Sequence, residues 1–152
     1  MTRIKLHTAL AEVSRLGIDT DCIIYFVQAN PSFDGLVSDV FRQIAAGQVT
    51  GHTSAVSLTE TLVIPLRTGD LLLRQRFRDL LLRSRNMHTV PISAAIAERA
   101  AEVRALYNLK VPDAMQAATA LETGCEAFLT NNGGDFRRVA ELNVLVLNEL
   151  EP

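Results

Sequence analysis

Four acidic residues stand at positions from which their carboxylates could meet in one site: Asp19, Glu60, Asp113 and Asp135. Bare carboxylates repel one another, so such a cluster is stable when a divalent cation occupies it. Carboxylate oxygens together with water are the ligands that suit magnesium and manganese rather than zinc. The four acids therefore predict a site for magnesium or manganese.

Each of these acids also has a structural alternative, and for Glu60 it is an ordinary solvated glutamate on a helix surface. Asp19 follows an apolar run and could simply cap the next helix. Asp113 could stabilise the dipole of its helix from the first turn, and Asp135 could cap a helix after a polar turn. Ligands of parallel α/β sheets, however, bind beyond the carboxyl ends of the strands, where these acids are expected to lie. The set of four favours a shared site more strongly than any one acid does.

Glu60 is the one acid predicted to lie well inside a helix. Val56, Glu60 and either Val63 or Ile64 share one helix face, so the carboxylate is expected on an apolar stripe. A buried carboxylate is costly unless a partner compensates its charge. A metal ion would be such a partner.

The histidines and cysteines predict no further metal site. His7, His52 and His88 have no zinc-ligand spacing and are expected to be structural or surface residues. Cys22 and Cys125 match neither a metal motif nor a disulfide framework. Both are expected to be small buried thiols.

The apolar pattern predicts short strands that alternate with helices. Such an order is typical of an α/β fold in which helices cover both faces of a parallel sheet. The segment 1–14, before the first main strand, is expected to be an extra helix. The predicted strands are 15–19, 49–54, 87–90, 127–129 and 144–147, and the later helices are 22–28, 36–46, 56–66, 71–83, 93–107, 113–123 and 135–141.

Composition sets the broad class. The 152 residues fit one domain, 1–152, and the 48% hydrophobic content is that of a globular chain. The formal net charge of −2 excludes a protein that coats nucleic acid nonspecifically, but it allows a local basic patch. No apolar run approaches the roughly 18 residues of a membrane helix, and the first residues lack a signal-peptide core. The expectation is a cytoplasmic protein without membrane attachment.

Four segments, in this order along the chain, resemble motifs of the PIN domain ribonucleases, and in particular of the VapC toxins of VapBC toxin–antitoxin systems. IDTDCIIY at 18–25 resembles LDTNVLIY, and SLTE at 57–60 resembles the second acidic motif. PDAMQAA at 112–118 resembles PxDxxIAA, and LTNNGGDF at 129–136 resembles TNNxxxF or TxNxxDF. Two residues depart from the pattern: Asp21 replaces an asparagine, and Asn132 stands where some members carry the last acid.

The resemblance implies a three-layer α/β/α fold with a central parallel sheet of about four to five short strands. It also implies a Mg²⁺- or Mn²⁺-dependent endoribonuclease, the toxin of a type II toxin–antitoxin pair. Asp19, Glu60 and Asp113 would be catalytic metal ligands, assisted by Asp135. The implied partners are an RNA substrate, a cognate antitoxin and a second copy in a homodimer.

Polar residues beside the acids could position the metal ligands or a phosphate. Thr20 and Thr130 could do so through their hydroxyls, although local capping is an equal alternative for a threonine. Asn131 and Asn132 could act in the same way through their amides.

An arginine-rich run follows the second acidic motif. Arg74, Arg76 and Arg78 within it could contact RNA phosphates, or they could form the solvated face of an amphipathic helix. Two other functions stay open at this point. One is another metal-dependent phosphoesterase or DNA nuclease, and the other is a catalytically degenerate PIN domain that acts as a binding module.

Overall fold

A five-stranded parallel sheet runs through the centre of the computed structural model, which describes residues 2–152. Within these residues, the strands are β1 (Ile4–Lys5), β2 (Arg15–Ile18), β3 (Thr50–Ser54), β4 (Met87–Val90), β5 (Ala127–Thr130), β6 (Val144–Val146) and β7 (Leu150–Glu151). The helices are α1 (Leu6–Ala9), α2 (Thr20–Val27), α3 (Asp34–Ala45), α4 (Ala55–Thr68), α5 (Leu71–Arg83), α6 (Ala94–Tyr107), α7 (Val111–Glu122) and α8 (Gly133–Phe136), with a 3₁₀ turn at Leu147–Glu149. None of these helices is long and apolar enough to cross a membrane.

Helices cover both faces of the sheet because its strands carry apolar residues on both sides. Leu16 and Ile18 of β2 belong to one core cluster, together with Val37 of α3 and Phe77 of α5. Phe128 of β5 belongs to a second core cluster, which is built mainly from α6 and α7. The predicted three-layer α/β fold with a short-stranded parallel sheet is therefore confirmed.

The strand order reverses beside β2. The main sheet has the order β4-β3-β2-β5-β6, so the chain builds outward from β2 to one side and then crosses to the other. β2 pairs in parallel with both β3 and β5. A crevice opens at the carboxyl ends of strands where the order reverses in this way. Asp19 follows β2 directly and therefore stands at this crevice.

Residues 2–14 differ from the single helix that the pattern of segment 1–14 predicts, and Met1 lies outside the described residues. Within 2–14, only Leu6–Ala9 is helical, and Ile4–Lys5 instead pairs in parallel with Leu150–Glu151. Lys5 also lies 3.4 Å from a carboxylate oxygen of Glu151. Ile4 and Lys5 are extended because they pair with β7, so helical backbone begins only at Leu6. Leu6 and Leu10 are buried and fix the segment to the core.

Gly17 of β2 allows α7 and β5 to approach the strand. A Cβ atom at this position would lie 2.7 Å from Cδ1 of Phe128 and 3.0 Å from Cβ of Ala120. Phe128 cannot move away easily, because it is buried and packs on Phe136 with ring centroids 4.7 Å apart. Residue 17 is therefore a position where any side chain is too large.

We expect Gly17→Ala to lower the free energy of unfolding by about 1–3 kcal/mol, as overpacked cores typically do. Gly35→Ala is the matched control, because no atom lies within 4 Å of a Cβ at that position in α3. The control should be neutral or stabilising by up to about 1 kcal/mol, since alanine favours helix. Urea denaturation of the three proteins measures the difference. Equal midpoints for Gly17→Ala and the wild-type chain would contradict the close packing of β2.

Candidate active site

Asp19 is buried at the carboxyl end of β2, with both oxygens of its carboxylate held. The Thr20 backbone N–H donates to Oδ1 at 2.8 Å, and the Thr130 hydroxyl donates to Oδ2 at 2.7 Å. Asp19 is also the N-cap of α2, so this helix begins at Thr20, two residues before its predicted start. The side chain is only 7% exposed. Its carboxylate is thus oriented by the turn that joins β2 to α2 and by the end of β5.

The pKa of Asp19 is raised to about 7. Burial is the largest cause of this rise, and the nearby charge of Asp21 is the second. The hydrogen bonds from Thr130 and Thr20 oppose this rise, and the charge of Asp113 adds to it. The physical cause is a carboxylate removed from water without a positive charge beside it. A cation at this position would relieve both the burial and the repulsion.

Asp113 lies in the first turn of α7, where the charges of neighbouring acids raise the pKa of its carboxyl. Burial raises its pKa, and the charges of Asp135 and Glu60 raise it further. Lys110, just before the helix, lowers it. Since the charge of Asp113 also raises the pKa of Asp19, the structure brings the other three predicted acids each within electrostatic range of Asp113.

Glu60 is exposed, so the expectation of an acid on a buried apolar stripe is wrong. Ile64, on the same face of α4, is also exposed, while the buried face carries Ser57 and Thr61. In α4, Ser57 bonds to Thr20 and Gln116 while Leu58 packs on the apolar core, so the face that carries Glu60 and Ile64 turns towards solvent. The Thr20 hydroxyl donates to Oε1 of Glu60 at 2.8 Å and thereby holds this exposed carboxylate beside α2.

Asp135 is half-buried, and its charge is already compensated. Asn132 caps α8 and donates from its amide to Oδ2 of Asp135 at 3.0 Å. Arg138 donates to Oδ1 at 2.7 Å. These two groups lower the pKa of Asp135, with the hydrogen bond from Asn132 as the larger cause. The predicted start of this helix at Asp135 was two residues late, because Asn132 rather than Asp135 is the cap.

Asp21 brings a fifth carboxylate to the same place. Its Oδ1 accepts the Cys22 backbone N–H at 2.7 Å, and its Oδ2 accepts the Asn131 backbone N–H at 2.9 Å. Burial raises its pKa. Asp21 thus joins the start of α2 to the loop after β5. It also adds negative charge beside Asp19.

A buried network of hydroxyls and one amide lies beneath the acids. Of its members, the sequence pointed only to Thr20 and Thr130. Its further members are Thr53, Ser57 and Gln116, which join β3, α4 and α7. Gln116 is 2% exposed. The signal in the sequence that could have identified Gln116 is its place as the one glutamine among the small apolar residues of α7. Throughout residues 2–152, no buried side-chain nitrogen or oxygen lacks a hydrogen-bond partner.

The donor chemistry of the site fits a hard divalent cation. Its groups are carboxylates and hydroxyls, and the raised pKa values of Asp19 and Asp113 show a shortage of positive charge. In the described part of the chain, however, no three His, Cys, Asp or Glu side chains converge closely enough to form a ligand set. The acids are therefore gathered at the crevice without being closed around a common point.

His52, His88 and Cys125 lie away from the acids, whereas the Cys22 thiol donates to Oδ1 of Asp21 at 3.3 Å. His52 and His88 stack with ring centroids 4.9 Å apart, across β3 and β4, beside a cavity that Arg15 also lines. Cys22 is buried as expected, whereas Cys125 is only half-buried, and both are free thiols.

The α5 arginines are not the main basic groups near the acids. Arg76 is exposed beside the end of α2, while Arg74 and Arg78 are half-buried. The cations with the largest effects on Asp113 and Asp135 are Lys110 and Arg138. Neither was identified from the sequence, because a lysine before a helix and an arginine after a turn are ordinary surface residues.

Comparison with known proteins gives one family and several similar structures. The model of the PIN domain family matches residues 17–142. A toxin–antitoxin complex from Klebsiella pneumoniae contains a chain that is 25% identical, with 88% of this chain and 98% of that chain covered and a TM-score of 0.67. No curated protein sequence matches significantly.

Two more distant structures share the fold. VapBC2 from Rickettsia felis, bound to a DNA fragment from its promoter, is 18% identical over 87% of this chain and 98% of that chain, with a TM-score of 0.70. VapC20 from Mycobacterium tuberculosis, a toxin that cleaves the sarcin–ricin loop, is 19% identical over 76% and 87%, with a TM-score of 0.60.

Proposed function

Since the chain belongs to the PIN domain family, we propose that it is a divalent-metal-dependent endoribonuclease and the toxin of a type II toxin–antitoxin pair. The observation that carries the proposal is the repulsion at the crevice between Asp113 and acids of three other elements, with the pKa of Asp19 raised to about 7. A purely structural cluster of caps would have no reason to bring these charges together. Retention of all four acids also disfavours a degenerate binding module.

Asp19, Glu60 and Asp113 would hold Mg²⁺ or Mn²⁺, directly or through water, with Asp135 assisting. The bound ion would lower the pKa of a water molecule and offset charge that develops on the phosphate. The protein's own part is orientation. Thr130 holds Asp19 and Thr20 holds Glu60, each through a hydroxyl at hydrogen-bonding distance.

Asn131 and Asn132 would position the loop at the edge of the site. The Asn132 backbone N–H donates to the Thr130 hydroxyl at 2.9 Å, so this loop orients the same hydroxyl that holds Asp19. The Asn131 backbone N–H is bound to Asp21, and its side-chain oxygen accepts the Asn148 backbone N–H at 3.2 Å. The loop is thereby tied on both sides and can present its remaining polar groups to a substrate.

The proposed partners are RNA, a cognate antitoxin and a second copy of the chain. Support for an antitoxin comes from the Klebsiella pneumoniae chain, which is 25% identical and belongs to a toxin–antitoxin complex. The structure offers exposed apolar side chains at the turn between α4 and α5, where Ile64, Leu66, Leu71 and Leu72 are each more than half exposed. Contiguous exposed apolar residues of this kind are typical of protein-binding surfaces.

The test is cleavage of a substrate panel by metal-stripped protein to which Mn²⁺ or Mg²⁺ is returned. The panel holds structured RNA, single-stranded RNA, DNA and a small phosphomonoester. Metal-dependent cleavage of RNA alone would support the proposal. Preference for DNA or the monoester would favour the alternative phosphoesterase, and metal binding without cleavage of any member would favour a binding module.

We expect Lys110→Ala to weaken RNA binding severalfold and to reduce the slope of log affinity against log salt by about 0.7, the value for one single-strand phosphate contact. The charge-reversed variant Arg74→Glu/Arg76→Glu/Arg78→Glu should flatten the slope further if α5 contacts the RNA. Fluorescence anisotropy at several salt concentrations measures both. Unchanged affinity and slope in the triple variant would remove α5 from the RNA-binding surface, and the same result in Lys110→Ala would remove Lys110.

A further inference from the structure

Gln116 joins three helices directly beneath the candidate metal ligands. It lies one turn after Asp113 in α7, almost fully buried. Its amide nitrogen is 2.6 Å from the Ser57 hydroxyl and 3.2 Å from the Thr20 hydroxyl. Its amide oxygen accepts the Ser54 backbone N–H at 3.3 Å. One side chain therefore contacts the starts of both α2 and α4.

The direction of each hydrogen bond follows from what these groups can donate. A backbone N–H can only donate, so Ser54 fixes the amide oxygen of Gln116 on its own side. The amide nitrogen then points its two hydrogens at Ser57 and Thr20, which must accept.

The accepting hydroxyls must use their own protons elsewhere. The Thr53 hydroxyl donates to the Ile18 carbonyl at 2.7 Å, so it can accept from Ser57, also at 2.7 Å. Thr20 lies 2.8 Å from both the Ser57 hydroxyl and Oε1 of Glu60, and since the carboxylate can only accept, the Thr20 proton goes to Glu60. By donating to the oxygens of Thr20 and Ser57, the amide holds both hydroxyls in the orientation that leaves the Thr20 proton for Glu60.

We propose that Gln116 is a positioning residue for Glu60, which it holds at the acid cluster through the hydroxyl of Thr20. An exposed glutamate on a helix samples several rotamers, and binding a cation would have to restrict them. A fixed hydroxyl donor restricts them beforehand, in the conformation in which Glu60 acts on Asp113. This inference rests on the proposed function, since it assigns Gln116 a part in building the same metal site.

A solely structural Gln116 would behave differently from a positioning one. If the amide only joins α2, α4 and α7, its loss lowers stability but leaves the folded site with its normal metal affinity. If it positions Glu60, its loss weakens metal binding beyond any effect on stability. Metal affinity therefore separates the two roles.

The experiment measures Mn²⁺ affinity by titration calorimetry on the metal-stripped full-length chain, with thermal unfolding recorded alongside. We expect Gln116→Met, which keeps the volume and removes the amide, to raise the Kd for Mn²⁺ by about tenfold, at the low end of the range for outer partners of metal ligands. The matched control is Thr119→Val, a buried hydroxyl in the same helix that bonds only to the Met115 carbonyl. The control should change the Kd by less than about twofold.

Variants of Thr20 test the same hydrogen-bonded chain, which runs from Gln116 through Thr20 to Glu60. They also keep the proposal testable if Gln116→Met does not fold. Thr20→Val should weaken Mn²⁺ binding as much as Gln116→Met does, and Thr20→Ser, which keeps the hydroxyl, should restore it. The double variant Gln116→Met/Thr20→Val should be no weaker than Thr20→Val alone, because both act through one hydrogen-bonded chain.

Wild-type Mn²⁺ affinity in either Gln116→Met or Thr20→Val would overturn the proposal, as would full additivity in the double variant. Failure of the proposed function gives a different result. Mn²⁺ binding by the wild-type chain without RNA cleavage would overturn the nuclease and leave the role of Gln116 standing. No Mn²⁺ binding by the wild-type chain would overturn both.

Discussion

Asp19→Asn will abolish metal-dependent RNA cleavage and, in metal-free protein at pH 8, will make the chain more stable. The loss of activity should be about a hundredfold or more, because even the outer partners of a metal ligand contribute 10–100-fold. The fold should persist, since asparagine can still accept the Thr20 backbone N–H. Thr130 would then accept a hydrogen bond rather than donate one to residue 19.

The gain in stability follows from the direction of the pKa shift. The folded state raises the pKa of Asp19 from 3.8 to about 7, so folding favours the protonated carboxyl. Its contribution to stability is complete below pH 3.8 and is lost as the pH rises through about 7. Three pKa units correspond to roughly 4 kcal/mol at most, and asparagine avoids this loss.

Urea denaturation in EDTA at pH 4, 6 and 8 measures this effect. The stability advantage of Asp19→Asn should be below about 1 kcal/mol at pH 4 and largest at pH 8. Asp79→Asn, at an exposed acid of α5, is the control and should show neither the stability gain nor the loss of cleavage. Cleavage by Asp19→Asn at the wild-type rate would remove Asp19 from the mechanism, and a less stable variant at pH 8 would contradict the cost of burying this charge.

Adding Mn²⁺ should reverse the order of stability. A cation that binds the folded wild-type chain stabilises it by mass action, while Asp19→Asn offers a weaker site and gains less. The same carboxylate that destabilises the metal-free protein thus becomes favourable when a cation is present. This exchange of stability for function is common at sites whose residues break the local rules of folding.

Much of the fold follows from local patterns. The strands β5 and β6 are short apolar runs. The helices α2 to α7 begin within two residues of their predicted positions. The pairing of Ile4–Lys5 with Leu150–Glu151 was not predictable. Two-residue strands have no periodicity, and their partner lies at the opposite end of the chain.

The acids of the candidate site were predictable from the sequence, but the buried polar residues beneath them were not. Acids after strands are visible in sequence, because strand ends meet at one edge of a parallel sheet. The roles of Ser57 and Gln116 depend on three helices meeting beneath that edge, which no local pattern describes. The exposure of Glu60 was misjudged for the same reason, since apolar neighbours in α4 predict burial only if a core covers them.

Asp113 and Asp135 should not contribute equally to metal binding. The pKa of Asp113 is raised by burial and then by the charges of Asp135 and Glu60. Its negative charge is therefore not fully compensated by nearby cations. The pKa of Asp135 is lowered, because Asn132 and Arg138 already satisfy its oxygens. A cation would therefore gain more from Asp113, and binding to Asp135 would compete with an existing ion pair.

We therefore expect Asp113→Asn to reduce metal-dependent cleavage by about a hundredfold and to raise the Kd for Mn²⁺, while Asp135→Asn costs about tenfold, the two ends of the range for partners of a metal site. Arg138→Ala separates the causes, because it frees Asp135 from its 2.7 Å ion pair and should tighten Mn²⁺ binding. In the double variant Arg138→Ala/Asp135→Asn that gain should disappear. Equal losses for the two acids, or a larger loss for Asp135→Asn, would mean that the Arg138 pair opens when the metal binds and that Asp135 is a direct ligand.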